Sequence, residues 1–244
     1  MIELNEIESK YFDLMGEKIS VKEFENWVYE TKWLESELTE DEYTDLISLN
    51  YRTSSSKYEI GKVLKDRFDE GKFESVKMVE LLTSIIQREG KEGESLMKMY
   101  DLYCRGYYFL EDLGLGIGLF IEVPNKYGVE YYHELNEKQK KELVNSVYPS
   151  AKELAIELKN WILKGDLKLT GERESELNRW QYIDNRTEED KKSRVWKVEN
   201  VDSKTGEVRS KSNLLLNKNG NFKTSEKSNN NWIKRIFNRT KPNR

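Results

Sequence analysis

The sequence predicts a mainly α protein: a helical array with one central short strand and a small β-hairpin extension at the C-terminus, so α+β overall, followed by a disordered basic tail. Three observations carry this. Apolar residues recur at helical spacing through the first two-thirds, with capping signals and glycines between the runs. One stretch near the middle alternates with a strict period of two. Beyond Gly171 the periodicity fades, and the last twenty residues are rich in Asn, Lys and Arg.

The first helix is expected from about Ile2 to Met15, stopping at Gly16. Ser20-Val21-Lys22-Glu23 is a capping box: the hydroxyl satisfies an orphan amide and the glutamate reaches back. The helix it opens carries Val21, Phe24, Trp27 and Val28 on one stripe. Thr39-Glu40-Asp41-Glu42 repeats the signature ahead of Tyr43, Leu46 and Ile47. Ser55-Ser56 precede a helix with Ile60, Val63, Leu64 and Phe68 in register, ending at Gly71. Phe73, Val76, Val79, Leu82 and Ile86 mark the next, closed by Gly90, and Leu96, Met99, Tyr100, Tyr103 and Tyr107 another.

From Leu113 to Val123 every odd position is apolar, while Gly114, Gly116 and Gly118 occupy even ones. That alternation predicts a strand with one apolar face and one nearly bare face, against which either a neighbouring element or a ligand could pack closely. Pro124 ends it. Asn136 caps a helix to about Val147, and Pro149-Ser150 starts another that carries Leu154, Leu158, Trp161 and Ile162 to Gly165. Leu167 to Thr170 suits a short strand, and 172–193 is charged and poorly periodic. Val195 to Val208, with a turn at Gly206, reads as a hairpin, and Leu214 to Phe222 as a weaker one. The expected organisation is a helical domain over 1–166, a hairpin-containing extension over 167–224, and a tail over 225–244.

Charge is distributed unevenly. Residues 1–50 hold fourteen Asp/Glu against four Lys, whereas 227–244 hold six Lys/Arg and no acid. Within the acidic front, Trp33, Glu35, Glu37, Glu40, Asp41 and Glu42 form a candidate docking surface for a cationic protein. The competing account is that acidic first turns simply match helix dipoles. In the tail, Trp232, Lys234, Arg235 and Arg239 interleave aromatic and basic character, as suits nucleic acid or an anionic membrane surface.

No catalytic machinery is recognisable. A zinc site needs several Cys or His ligands, and the chain has one of each, Cys104 and His133. The glycines at 114, 116 and 118 lack the third glycine spacing of a dinucleotide fingerprint, and no phosphate-binding Gly-x-x-x-x-Gly-Lys-Ser/Thr occurs. Glu188/Glu189 and Glu157-Leu158-Lys159 resemble fragments of carboxylate sites, but pairs arise by chance among forty-five acids. Cys104 is expected to be a small buried hydrophobe, and His133 a surface or half-buried side chain. No cofactor is expected. The amino terminus lacks a signal-peptide pattern and the longest apolar stretch is too short to span a bilayer, so a cytoplasmic location is expected.

Lys18-Ile-Ser-Val-Lys-Glu-Phe-Glu-Asn-Trp-Val-Tyr29 and Gly106-Tyr-Tyr-Phe-Leu-Glu-Asp-Leu-Gly-Leu-Gly116 resemble bacterial immunity-type proteins, which neutralise polymorphic or contact-dependent toxins. The resemblance spans about the first two-thirds of the chain. It implies a non-enzymatic, tight-binding cytoplasmic protein, often acidic because many such toxins are basic nucleases. The C-terminal hairpins and basic tail lie outside it.

Overall fold

The computed structural model describes residues 2–88 and 90–194 in full, and 197–201 and 208–211 as backbone. The chain divides into two compact units, Met1–Lys192 and Ser193–Arg244. The expected boundary at 167 therefore falls inside the first unit.

The first unit opens with α1 (Glu6–Met15), α2 (Val21–Glu30), the single turn α3 (Leu34–Glu37), α4 (Glu40–Ser48) and α5 (Ser56–Leu64). Capping chemistry sets their starts. Ser20 and Thr39 form the reciprocal boxes read from the sequence, and Asn5 forms a third with Glu8, so α1 begins at Glu6 rather than Ile2. Phe24, Leu34, Ile60 and Leu64 are fully buried in the cluster these helices share, with Trp27 packed partly against it. Burying a side chain such as Phe24 contributes about 2 kcal/mol.

Helices α6 (Glu70–Gln87), α7 (Glu92–Cys104) and α9 (Glu137–Lys164) pack on one another, with Leu82, Ile85, Leu96, Met99, Val147 and Ala151 fully buried. Three expectations are corrected here. Gly71 lies inside α6 rather than ending the previous helix, which stops at Leu64 before a 3-10 turn. α7 ends at Cys104, leaving Tyr107 outside it. Pro149 lies within α9 instead of starting a new helix. Proline forfeits one backbone hydrogen bond, but Val147 and Ala151 flank it on the buried stripe, and packing keeps the helix continuous.

The largest correction concerns the central strand expected over 113–123. Glu111–Gly118 is a π-helix and Leu119–Glu122 continues it as α8. Leu113, Ile117 and Ile121 recur every four residues on one buried face. Gly114 and Gly118, also four apart, lie directly against α7. A Cβ at Gly114 would sit 2.6 Å from the Met99 carbonyl oxygen, and one at Gly118 2.9 Å from the Tyr100 Cβ. The glycine face is thus closed by packing, the first of the two readings the sequence allowed.

β1 (Leu167–Arg173) pairs antiparallel with β2 (Trp180–Asp184), with Leu169 opposite Tyr182 and a register shift before Arg173. This hairpin packs on α6. Close approach requires Gly171, whose φ of +74° and contact with Glu70 exclude a side chain. Tyr107 is fully buried and lies parallel to Trp180 at 6.0 Å, while Phe109 meets Tyr182 edge-on at 4.9 Å. The second unit contains the antiparallel pair β3 (Lys197–Val201) and β4 (Val208–Lys211), at the expected hairpin. The second hairpin at 214–222 and the tail at 225–244, with Trp232, Lys234, Arg235 and Arg239, lie outside the described residues.

Candidate partner-binding surface

The acidic front folds into α1 to α4, and its carboxylates separate into two groups. One group is internally neutralised. Glu8 bonds Lys72, Asp13 and Glu25 pair with Lys18 and Lys22, and Glu17 pairs with Lys57. Glu42 belongs here too: its two oxygens accept from Arg67 Nε at 2.8 Å and Nη2 at 2.7 Å. Glu42 also accepts the Thr39 backbone N–H at 2.8 Å. The Arg67 guanidinium beside it, helped by the Thr39 donors against the cost of burial, lowers its carboxyl to about 2. Glu42 is therefore a structural clamp tying α4 to the segment after α5, and it leaves the predicted docking surface.

The second group is exposed and makes no ion pair within the described residues: Glu3, Glu6, Glu23 and Glu30, and, on α3 and α4, Glu35, Glu37, Glu40, Asp41 and Asp45. Glu37 lies near enough for its charge to raise Arg67, after the larger effect of Glu42. Leu34, Leu38 and Leu46 are buried beneath those on α3 and α4, so a rigid base holds these carboxylates outward. Asp41 and Asp45 also line, with Glu59 and Lys62 of α5, a groove of about 420 Å3.

Helix dipoles account for part of this charge only. Glu35 and Glu37 sit in the single turn of α3 and Glu40 and Asp41 in the first turn of α4, where a negative charge gains about 0.3–1 kcal/mol. Asp45 sits beyond that turn, and α1, α2, α3 and α4 all lack a basic residue in their last turn. An arrangement serving the dipoles would place cations there.

Apolar side chains border the carboxylates. Trp33 is 39% exposed and meets Trp27 edge-on at 6.4 Å. Trp27 is tied down by its indole N–H, which donates to Glu6. Tyr29 is 56% exposed, and its hydroxyl donates to the Ile47 carbonyl at 2.9 Å, which joins α2 to α4 beside the exposed Ile47 side chain. Sequence reasoning missed Tyr29, Ile47 and Asp45. The helical periodicity of Tyr43 and Ile47 suggested core positions, and only the packing shows that Ile47 faces out.

No family model, curated protein or solved structure matches this chain.

The other groups considered for chemistry are dispersed. His133 is exposed and stacks on Tyr131 at 5.4 Å. Cys104 is exposed at the end of α7, not buried as expected, because the helix stops there and turns its last residue outward. Desolvation of its sulfur raises the thiol's pKa, against a lowering hydrogen bond with Tyr100. Glu188 and Glu189 pair with Lys191 and Lys192 on the surface. Lys159 donates to the Thr83 hydroxyl at 2.8 Å. Among the described residues, no three His, Cys, Asp or Glu side chains converge as a metal site, and no helix is long and apolar enough to cross a membrane.

Proposed function

We propose that the chain is a non-enzymatic binding protein of the cytoplasm, an immunity protein that neutralises a basic toxin domain through its acidic helical surface. The observation that supports this reading is the group of five exposed carboxylates on α3 and α4 that make no ion pair among the described residues, Glu35, Glu37, Glu40, Asp41 and Asp45, beside the exposed rings of Trp33 and Tyr29. Charges left uncompensated on a folded surface repel one another and cost stability, but they speed encounter with a cation. A central aromatic anchor with a charged rim is the usual division of labour in tight interfaces.

The test is co-purification with the product of the adjacent gene, using wild type and a variant carrying Glu35→Lys, Glu37→Lys, Glu40→Lys and Asp41→Lys. Loss of association by at least tenfold in rate, with a salt dependence that disappears in the variant, is expected. The variant should remain folded: each reversal forgoes a first-turn dipole contribution of about 0.3–1 kcal/mol and meets a comparable repulsion, but none breaks an ion pair seen among the described residues. Unchanged association kinetics would remove the electrostatic mechanism.

A second reading rests on Trp232, Lys234, Arg235 and Arg239, whose basic and aromatic sequence suits nucleic acid or an anionic membrane. Binding by that segment would fall steeply with salt and vanish when 227–244 are deleted.

A further inference from the structure

A second concavity, of about 750 Å3, opens among α1, α5, the start of α6 and the β1–β2 hairpin. That volume is in the range of small-molecule sites. Its floor is aromatic. Tyr11 and Phe68 stack face to face at 4.0 Å, and Phe12 and Phe73 lie beside them at 4.8 Å from each other. Trp180 lines the cleft from the hairpin, with the Arg173 guanidinium over its ring at 4.0 Å and Tyr107 stacked on it at 6.0 Å.

The rim is predominantly cationic. Lys57, Lys62 and Lys65 line it from α5 and the turn that follows. Lys65 makes no ion pair among the described residues, nor does Lys62, which also borders the groove of Asp41, Asp45 and Glu59, and the Lys57 pair with Glu17 is solvent-exposed, where such pairs are weak. Of the two carboxylates on the opposite wall, Glu74 is neutralised by Lys77 at 2.8 Å. On that wall Glu70 is left to offset the lysines, and its charge adds to burial in raising the Tyr11 hydroxyl. Tyr58, 73% exposed, stands at the mouth with its ring in water.

We infer that this cleft binds a small aromatic anion, its ring against Tyr11, Phe68 and Phe73 and its acid group toward the α5 lysines. An aromatic floor without a cationic rim would take a neutral apolar group; the uncompensated lysines set the preference for negative charge. The site shares Lys62 with the groove that Asp41 and Asp45 line, but its aromatic floor, Lys57 and Lys65 belong to the cleft alone, so its test is distinct from that of the toxin-binding reading.

The probe is 1-anilinonaphthalene-8-sulfonate, followed by fluorescence with the full chain, with 2-naphthoate and 1-naphthylmethylammonium as competitors. One saturable site is expected, displaced by the naphthoate and not by the ammonium. Lys57→Glu with Lys65→Glu should weaken binding at least tenfold. Gly61→Leu, which fills the space beside Tyr11 without touching a charge, should abolish it, while melting curves confirm that both variants are folded. Non-saturable binding, equal displacement by the cation, or affinity indifferent to the lysine reversal in folded protein would each overturn the assignment.

Discussion

Replacing Glu42 with Gln isolates one ion pair from the helix cap it shares. Glutamine serves the third position of a capping box as well as glutamate does, so the bond from the Thr39 backbone N–H survives. What is lost is the charge facing Arg67. The carboxyl falls from an ordinary 4.5 to about 2 in the folded chain, chiefly through the Arg67 hydrogen bonds. Taken at face value that displacement is worth about 3 kcal/mol. With the Glu42 side chain 18% exposed and that of Arg67 29% exposed, water screens the pair, and about 1–2 kcal/mol is the better expectation. In a chain of this size that lowers the melting temperature by roughly 2–8 °C at pH 7. The sign with pH is definite. A carboxyl whose folded pKa is depressed stabilises the fold above the unfolded value near 4.5, and that contribution disappears as pH falls toward 2. Chemical denaturation of wild type and E42Q from pH 7 to pH 2.5 should therefore show a gap that narrows below pH 4.5. A gap that is absent at pH 7, or constant across the range, would refute the assignment of Glu42 as a clamp and return it to the docking surface.

Two more outcomes follow from packing. Gly118→Ala forces a Cβ against the Leu96 carbonyl and to 2.9 Å from the Tyr100 Cβ, and should cost about 1–3 kcal/mol in a urea unfolding curve, as overpacking does. Were the segment a strand with an open glycine face, the same change would be nearly neutral. Tyr107→Phe removes a fully buried hydroxyl that has no hydrogen-bond partner among the described residues, so stability should stay level or rise by up to about 1 kcal/mol, read by the same method.

Much of the helical scaffold is legible without coordinates because its signals are local. The Ser20 and Thr39 boxes and the stripe through Phe24 and Val28 act within one or two turns. The candidate surface was legible in part: the excess of acid over base is a count, and Trp33 stands off the apolar stripe. Glu42 was misassigned because its partner, Arg67, is twenty-five residues away, and no periodicity connects them. Tyr29 and Ile47 were missed because exposure depends on which neighbours arrive.

Composition and local pattern alone determined a mainly helical chain with an acidic front, a basic end and a hairpin near residue 200. Tertiary structure decided how Leu113 to Val123 is wound, since alternate glycines suit a strand in isolation but allow a helix to lie directly on α7 when α7 is present. It likewise carried α9 through Pro149, seated β1 and β2 on α6 through Gly71 and Gly171, and chose which carboxylates meet a cation. The physical reason is the same in each case. Backbone preferences differ by about 1 kcal/mol per residue, while burial against a distant element is worth several, so local preference yields wherever the two disagree.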